Sequence, residues 1–270
     1  MRQSRIAWAA LCALAVGAAG GCSGAAAASA GLVVGAGEVP RGWAAIAAPE
    51  GNAQWQCAVD ALQAWDVLGD TGGRVRIAPQ QPPPPLRVAL ADGVMAAGDG
   101  GRIEWTPNRA AAGFVLSNAD IRPQAATEYG GDVFVAEGRQ RGGRSEGAIL
   151  RFERRDAQRW RIHRMLELDA MPVAAARSGS SDWMVLTDAG LIRIDLAAQR
   201  QQPLHRNPRW PQLQPQSLQP SGTGWLIGTD HGVIRLMPFG EHFSEQWLVP
   251  ENCRRLAAPQ CGCGPQRVER

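Results

Sequence analysis

The chain of 270 residues contains no lysine; all 28 basic side chains are arginine, against 25 acidic ones, for a net charge of +3. The missing lysine reads as codon bias, and the arginines are scattered rather than clustered as a nucleic-acid binder needs, so DNA and RNA are not expected partners. Gly-x-Ser-x-Gly, Walker-type loops and paired zinc-protease histidines are absent. His163, His205, His231 and His242 share no metal-ligand spacing, and His231, within a turn, is expected at the surface. No catalytic residue, metal or cofactor is expected. Propeller-class hydrolases and lyases gather carboxylates from several repeats, so Asp132, Glu137 and Asp182 are the residues to test for that chemistry. Hydrophobic residues at 45% and charged residues at 20% place the chain among ordinary globular proteins of one domain.

Long apolar runs are also missing. Arg2 and Arg5 precede an apolar stretch from Ile6 to Ala19 that is short for a membrane span, which is the pattern of an export signal over residues 1–21. Ala19-Gly20-Gly21-Cys22 resembles a lipoprotein signal-peptidase box, with Ala19 where Leu is common, and makes Cys22 the lipidation candidate. The alternative is ordinary cleavage after Ala28-Ser29-Ala30. With Cys22 acylated, residues 22–41 form a flexible tether from a membrane surface. Ser23 in place of Asp favours the outer membrane by resemblance to lipoprotein sorting, and so a periplasmic setting.

Of the six cysteines, Cys12 lies in the leader and Cys22 is the lipid candidate. Cys57, Cys253, Cys261 and Cys263 remain, an even number that in an exported protein points to two disulfides with three possible pairings. Cys57 bonded to one of the C-terminal three would lock the two chain ends together. A metal on Cys261-Gly-Cys263 finds no histidine beyond His242.

The strongest signal is a repeat. Trp65 to Gly72, Val94 to Gly101, Trp183 to Gly190 and Trp225 to Gly232 share an apolar or Trp residue five positions before Asp-x-Gly, at Asp70, Asp99, Asp188 and Asp230. A fifth copy, Val133 to Gly138, has an Arg/Gly-rich insertion before its second strand restarts at Gly147. Asp bonds the backbone two residues on and Gly takes the left-handed conformation, so each copy predicts a half-buried β-hairpin. The copies start 29, 39, 50 and 42 residues apart. Hairpins that stack radially bury both faces, so the sequence predicts an all-β fold, a small propeller of about five blades over residues 42–250, with a Cys-rich tail over 251–270. The copy at Trp65 is the irregular one, with Pro82 to Pro85 as a break that replaces a strand or marks a distorted blade. A β-sandwich is the alternative architecture.

Gly224-Trp225-Leu226-Ile227-Gly228-Thr229-Asp230-His231-Gly232-Val233 resembles the propeller repeat of sensor-type two-component regulators. Val94 to Trp105 resembles blades of exported assembly factors. The resemblance implies a propeller and assigns no catalytic residue. A sialidase Asp-box is not matched, since Ala97 stands where Ser or Thr is required two residues before Asp99.

Trp65, Trp183 and Trp225 are expected to pack between blades. Arg76, Arg151, Arg193 and Arg235, with Glu104 in the remaining copy, fall at equivalent second-strand sites; closure would arrange them as an anion-binding ring or leave them as solvated charges. Arg139, Arg141 and Arg144 form an exposed basic loop able to meet lipid or a partner. These features predict a non-catalytic, membrane-tethered scaffold that binds an envelope protein. A module for a glycan or anionic ligand in the central channel is the alternative.

Overall fold

The computed structural model describes residues 32–69, 74–110, 112–117, 122–141, 144–156, 158–240 and 242–253. The export segment, Cys22, Asp70, Cys261 and Cys263 lie outside them, as do the side chains of Asp99 and Arg141. Short β-branched and aromatic runs bounded by Gly, Asp and Asn dictate strands and tight turns almost throughout. β1 (Leu32–Val34) and β2 (Trp43–Ala47) precede helix α1 (Asn52–Ala61), followed by β3 (Trp65–Gly69) and β4 (Val75–Pro79). Next come β5 (Arg87–Leu90), β6 (Gly93–Ala97), β7 (Ile103–Pro107) and β8 (Phe114–Ser117), then β9 (Pro123–Tyr129), β10 (Asp132–Arg141), β11 (Arg144–Arg154) and β12 (Trp160–Leu168). β13 (Pro172–Arg177), β14 (Asp182–Thr187), β15 (Gly190–Asp195) and β16 (Arg200–Arg206) lead to the single turn α2 (Trp210–Leu213). β17 (Pro215–Ser221), β18 (Gly224–Thr229), β19 (Gly232–Phe239) and β20 (His242–Pro250) complete the order.

Five antiparallel sheets result: β1-β4-β3, β5 to β8, β9 to β12, β13 to β16, and β17 to β20 extended by β2. We number them first to fifth in that order. The fold is all-β and propeller-like. β5 abuts β9, β9 abuts β13, β13 abuts β17, and β17 abuts β3, so one edge strand of each sheet faces its neighbour's. The repeat supplies the middle strands β6–β7, β10–β11, β14–β15 and β18–β19 of the later sheets. In the first sheet its copy is β3–β4, with β3 at the edge, and residues 80–86 run on without strand structure. The proline run thus stands where regular pairing stops, because proline donates no ladder hydrogen bond.

Four apolar clusters lie between sheets. Val88, Met95 and Trp105 of the second sheet meet Val135 and Phe152 of the third. Phe134 and Ile149 of the third meet Trp183 and Ile194 of the fourth. Leu186 and Leu191 of the fourth meet Trp225 and Ile234 of the fifth, with Trp55 of α1 and Trp210 of α2. Val67 and Ile77 of the first meet Leu226 and Val233 of the fifth. Trp183 and Trp225 therefore pack between sheets, and Trp65 is partly buried against Trp43 at 5.0 Å, edge to face.

Three expectations change. The hairpins of the fourth and fifth sheets are buried on both faces, not one: Leu191 belongs to one cluster and Ile192 and Ile194 to another, because the fourth sheet lies between the third and fifth. The Arg139 to Ser145 stretch is no loop inserted between strands; β10 and β11 stay paired out to Arg141 and Arg144. Leu32–Val34, inside the segment read as a tether, pair with β4. Among the described residues no helix is long and apolar enough to cross a membrane.

Candidate functional site

The first strands and their preceding connections surround an open cavity of about 1780 Å³. Every sheet contributes: Asp66 and Leu68 from the first, Ala97 from the second, Pro123, Gln124 and Arg139 from the third, Val173 and Asp188 from the fourth, and Gln216, Ser217 and Asp230 from the fifth. The strand-free stretch adds Gln80, Gln81 and Pro82 to Pro84. A concave, mixed polar and apolar surface drawn from all the repeats is where a repeat fold concentrates ligand contacts.

The repeat turn explains how two of the aspartates arrive there. Thr187 Oγ1 donates to the Gly190 carbonyl at 3.0 Å and accepts from the Ala189 amide at 3.3 Å. Thr229 repeats this with Gly232 at 2.9 Å and His231 at 3.0 Å. Threonine, rather than aspartate, bonds the backbone two residues on, which corrects the sequence expectation. The aspartate side chain is thereby left for the cavity wall. Gly232 is in the left-handed region at φ 111° as expected, but Gly190 is required by space, since a Cβ there would lie 2.3 Å from the His205 carbonyl oxygen.

The two aspartates then differ. Asp188 accepts the Met171 amide on Oδ1 at 3.0 Å, and its own amide donates to the Met171 carbonyl at 2.9 Å. Asp230 donates its amide to the Leu213 carbonyl at 3.0 Å, the matching bond, but Leu213 belongs to α2. Asp230 Oδ1 is buried without a hydrogen-bond partner. Asp66 Oδ2 accepts the Gln81 amide at 2.8 Å and fixes the start of the proline run.

Opposite charge sits on the third sheet. Glu137, fully buried, accepts from Arg139 Nη2 at 3.2 Å and from Arg164 Nη2 at 2.5 Å. That pairing holds Arg139 at the cavity with its side chain 46% exposed. Arg122, also lining the cavity, is exposed and makes no ion pair among the described residues.

The predicted arginine ring does not form at the cavity. Arg76, Arg151, Arg193 and Arg235 are not among the described lining residues, because β11, β15 and β19 lie two strands out from the inner edges β9, β13 and β17, and β4 lies one out from β3. Arg151 Nη2 pairs with Asp132 at 2.6 Å and Arg193 Nε with Asp182 at 3.0 Å; Arg235 donates to the Gly37 carbonyl, and Arg76 is exposed. Glu104 pairs with Arg102 at 2.7 Å. The same ion pairs occupy Asp132 and Asp182, and Glu137 is enclosed by its two arginines, so these carboxylates do not converge on one site. Of the basic stretch, Arg139 lines the cavity and Arg144 is exposed. His231 is half-buried rather than at the surface, with Nδ1 lacking a partner. Among the described residues no three His, Cys, Asp or Glu side chains could hold a metal. Arg122 and the glutamines carried no sequence signal, since they lie in the connections and first strands outside the repeat.

These features define an all-β, propeller-like module with a cavity of mixed polar and apolar lining. No protein-family model matches the chain. No curated protein matches it either. Among solved structures it is similar, at 11% identity and a TM-score of 0.29, to the extracellular domain of a proposed one component system from B. thetaiotaomicron, covering 65% of this chain and 32% of that one. A second structure, described as the extracellular domain of a proposed hybrid two component system from the same organism, gives 11% identity and a TM-score of 0.29 over 68% of this chain and 38% of that one. The chain thus spans about a third of the length of these proteins.

Proposed function

We propose that this protein is a non-catalytic binding module of the bacterial envelope whose ligand enters the central cavity. The observation that carries this reading is the cavity itself, about 1780 Å³ and lined from all five sheets. Residues that far apart in sequence converge on one space only through the fold, which is the arrangement ligand sites in repeat proteins use. The five sheets act as the blades of one ring, closed where β2 adds to β20. What supports a Cys57–Cys253 disulfide, joining α1 to the end of that strand, is the burial of both in one cluster at 3% exposure. Export through residues 1–21, a lipid on Cys22 and attachment to the outer membrane complete the proposal.

A thermal-shift screen of envelope metabolites, oligosaccharides and short peptides tests it, run on the wild type and on Gln124→Trp, which fills the cavity from an exposed position. Hits that stabilise the wild type and not the variant are expected. Equal shifts in both, or none, would sink the cavity reading. Capture of an envelope protein is the second reading, and Phe239, 75% exposed at the tip of the β19–β20 hairpin, is the feature that favours it.

A further inference from the structure

We propose that the cavity takes a dipolar, peptide-like ligand, its anionic end met by Arg122 and Arg139 and its cationic end by Asp230. The inference rests on the cavity being the binding site and adds what it recognises. The third and fifth sheets are separated by the fourth, and no ion pair among the described residues joins these arginines to Asp230, so the two charges stand apart across the space. Arg139 is held in place by buried Glu137, and Arg122 is exposed and makes no ion pair among the described residues.

Asp230 is the asymmetric member of an otherwise repeated turn. Its counterpart Asp188 spends Oδ1 on a backbone amide, whereas α2 takes the corresponding residue, Leu213, and leaves Asp230 Oδ1 buried and unpartnered. A carboxylate oxygen in that state calls for a donor, and an ammonium group is the strongest. Besides the charged residues the described lining holds glutamine amides, which both donate and accept as a peptide backbone does, and no aromatic ring on which a sugar or base would stack. Those two facts favour a peptide over a glycan.

The test is calorimetric titration of the full mature protein with tetra-alanine bearing free ends, and with its N-acetylated and C-amidated forms. Saturable binding of the free-ended peptide is expected, weakened about tenfold by blocking either end. In Asp230→Asn the penalty for N-acetylation should vanish while that for amidation remains; Arg122→Ala should show the reverse, with unchanged circular dichroism in both. Equal binding of blocked and free peptides, or no peptide binding while another compound still distinguishes wild type from Gln124→Trp, overturns the dipolar assignment and spares the cavity. Failure of every compound in both assays overturns the cavity reading as well.

Discussion

Glu245 shows how single residues hold adjacent sheets together. Its side chain, 7% exposed, lies on β20 and accepts from His205 Nε2 at 3.1 Å, Asn207 Nδ2 at 3.0 Å and Trp210 Nε1 at 3.2 Å. The other oxygen takes Trp247 Nε1 at 2.9 Å. Burial pushes its pKa up, but hydrogen bonds from His205, Trp247 and Asn207 outweigh that and leave it below the ordinary 4.5. A carboxyl depressed in the folded state contributes stability that is full above its unfolded value and is lost as pH falls through the lower folded value. The wild type should therefore lose urea stability from about pH 5 downward more steeply than Glu245→Gln. Parallel curves would show that this carboxylate does not drive the loss. At neutral pH Glu245→Ala, which strands two indoles and Asn207, should cost about 2–4 kcal/mol in equilibrium unfolding.

Elements are joined by aromatic wedges and by cations, Arg154 among them. Trp183 on β14 is 1% exposed between the third and fourth sheets, so Trp183→Ala should lower unfolding free energy by about 3–5 kcal/mol. A loss under 1 kcal/mol by denaturant titration would mean the wedge is unimportant. Arg154 on β11 reaches Asp92 across to the second sheet at 2.6 Å and lies 5.2 Å over Trp105 and 5.5 Å over Trp160. The hydrogen bond from Arg154 lowers the Asp92 carboxyl below its usual range. Arg154→Ala should speed amide hydrogen exchange in β5 to β8 and spare β17 to β20, measured by mass spectrometry; uniform acceleration would contradict a local clamp. At this scale much was legible in advance. The Trp-to-Asp-x-Gly spacing gave the middle hairpins, because alternation and turn chemistry are local. The inner strands were not legible: β9, β13 and β17 lack the motif and begin at Pro123, Pro172 and Pro215, a residue uncommon within strands. The cavity lining was missed with them, and the arginine ring was misplaced by two strands in three of the sheets, since sequence equivalence fixes a register position and not its distance from the centre.

The whole molecule is joined unevenly. Apolar clusters connect the second sheet to the third, third to fourth, fourth to fifth and fifth to first, whereas among the described residues none connects the first to the second. There the link is the stretch carrying Pro82 to Pro84, which lines the cavity. The proposed Cys57–Cys253 bridge ties the chain ends together, so Cys57→Ser should cost about 2–5 kcal/mol, and the wild type should lose the same stability on reduction. Unchanged melting under reducing conditions would refute that bridge. The central claim, that the five sheets converge to make a binding cavity, is tested most directly by hydrogen exchange of the wild type with and without a compound that stabilises it. The account predicts protection at the amides of residues 80–81, 122, 124, 171, 173, 214 and 216–217, all of which contribute to the lining. Protection centred instead on the outer strands β12, β16 and β20 or on the Phe239 hairpin would contradict it.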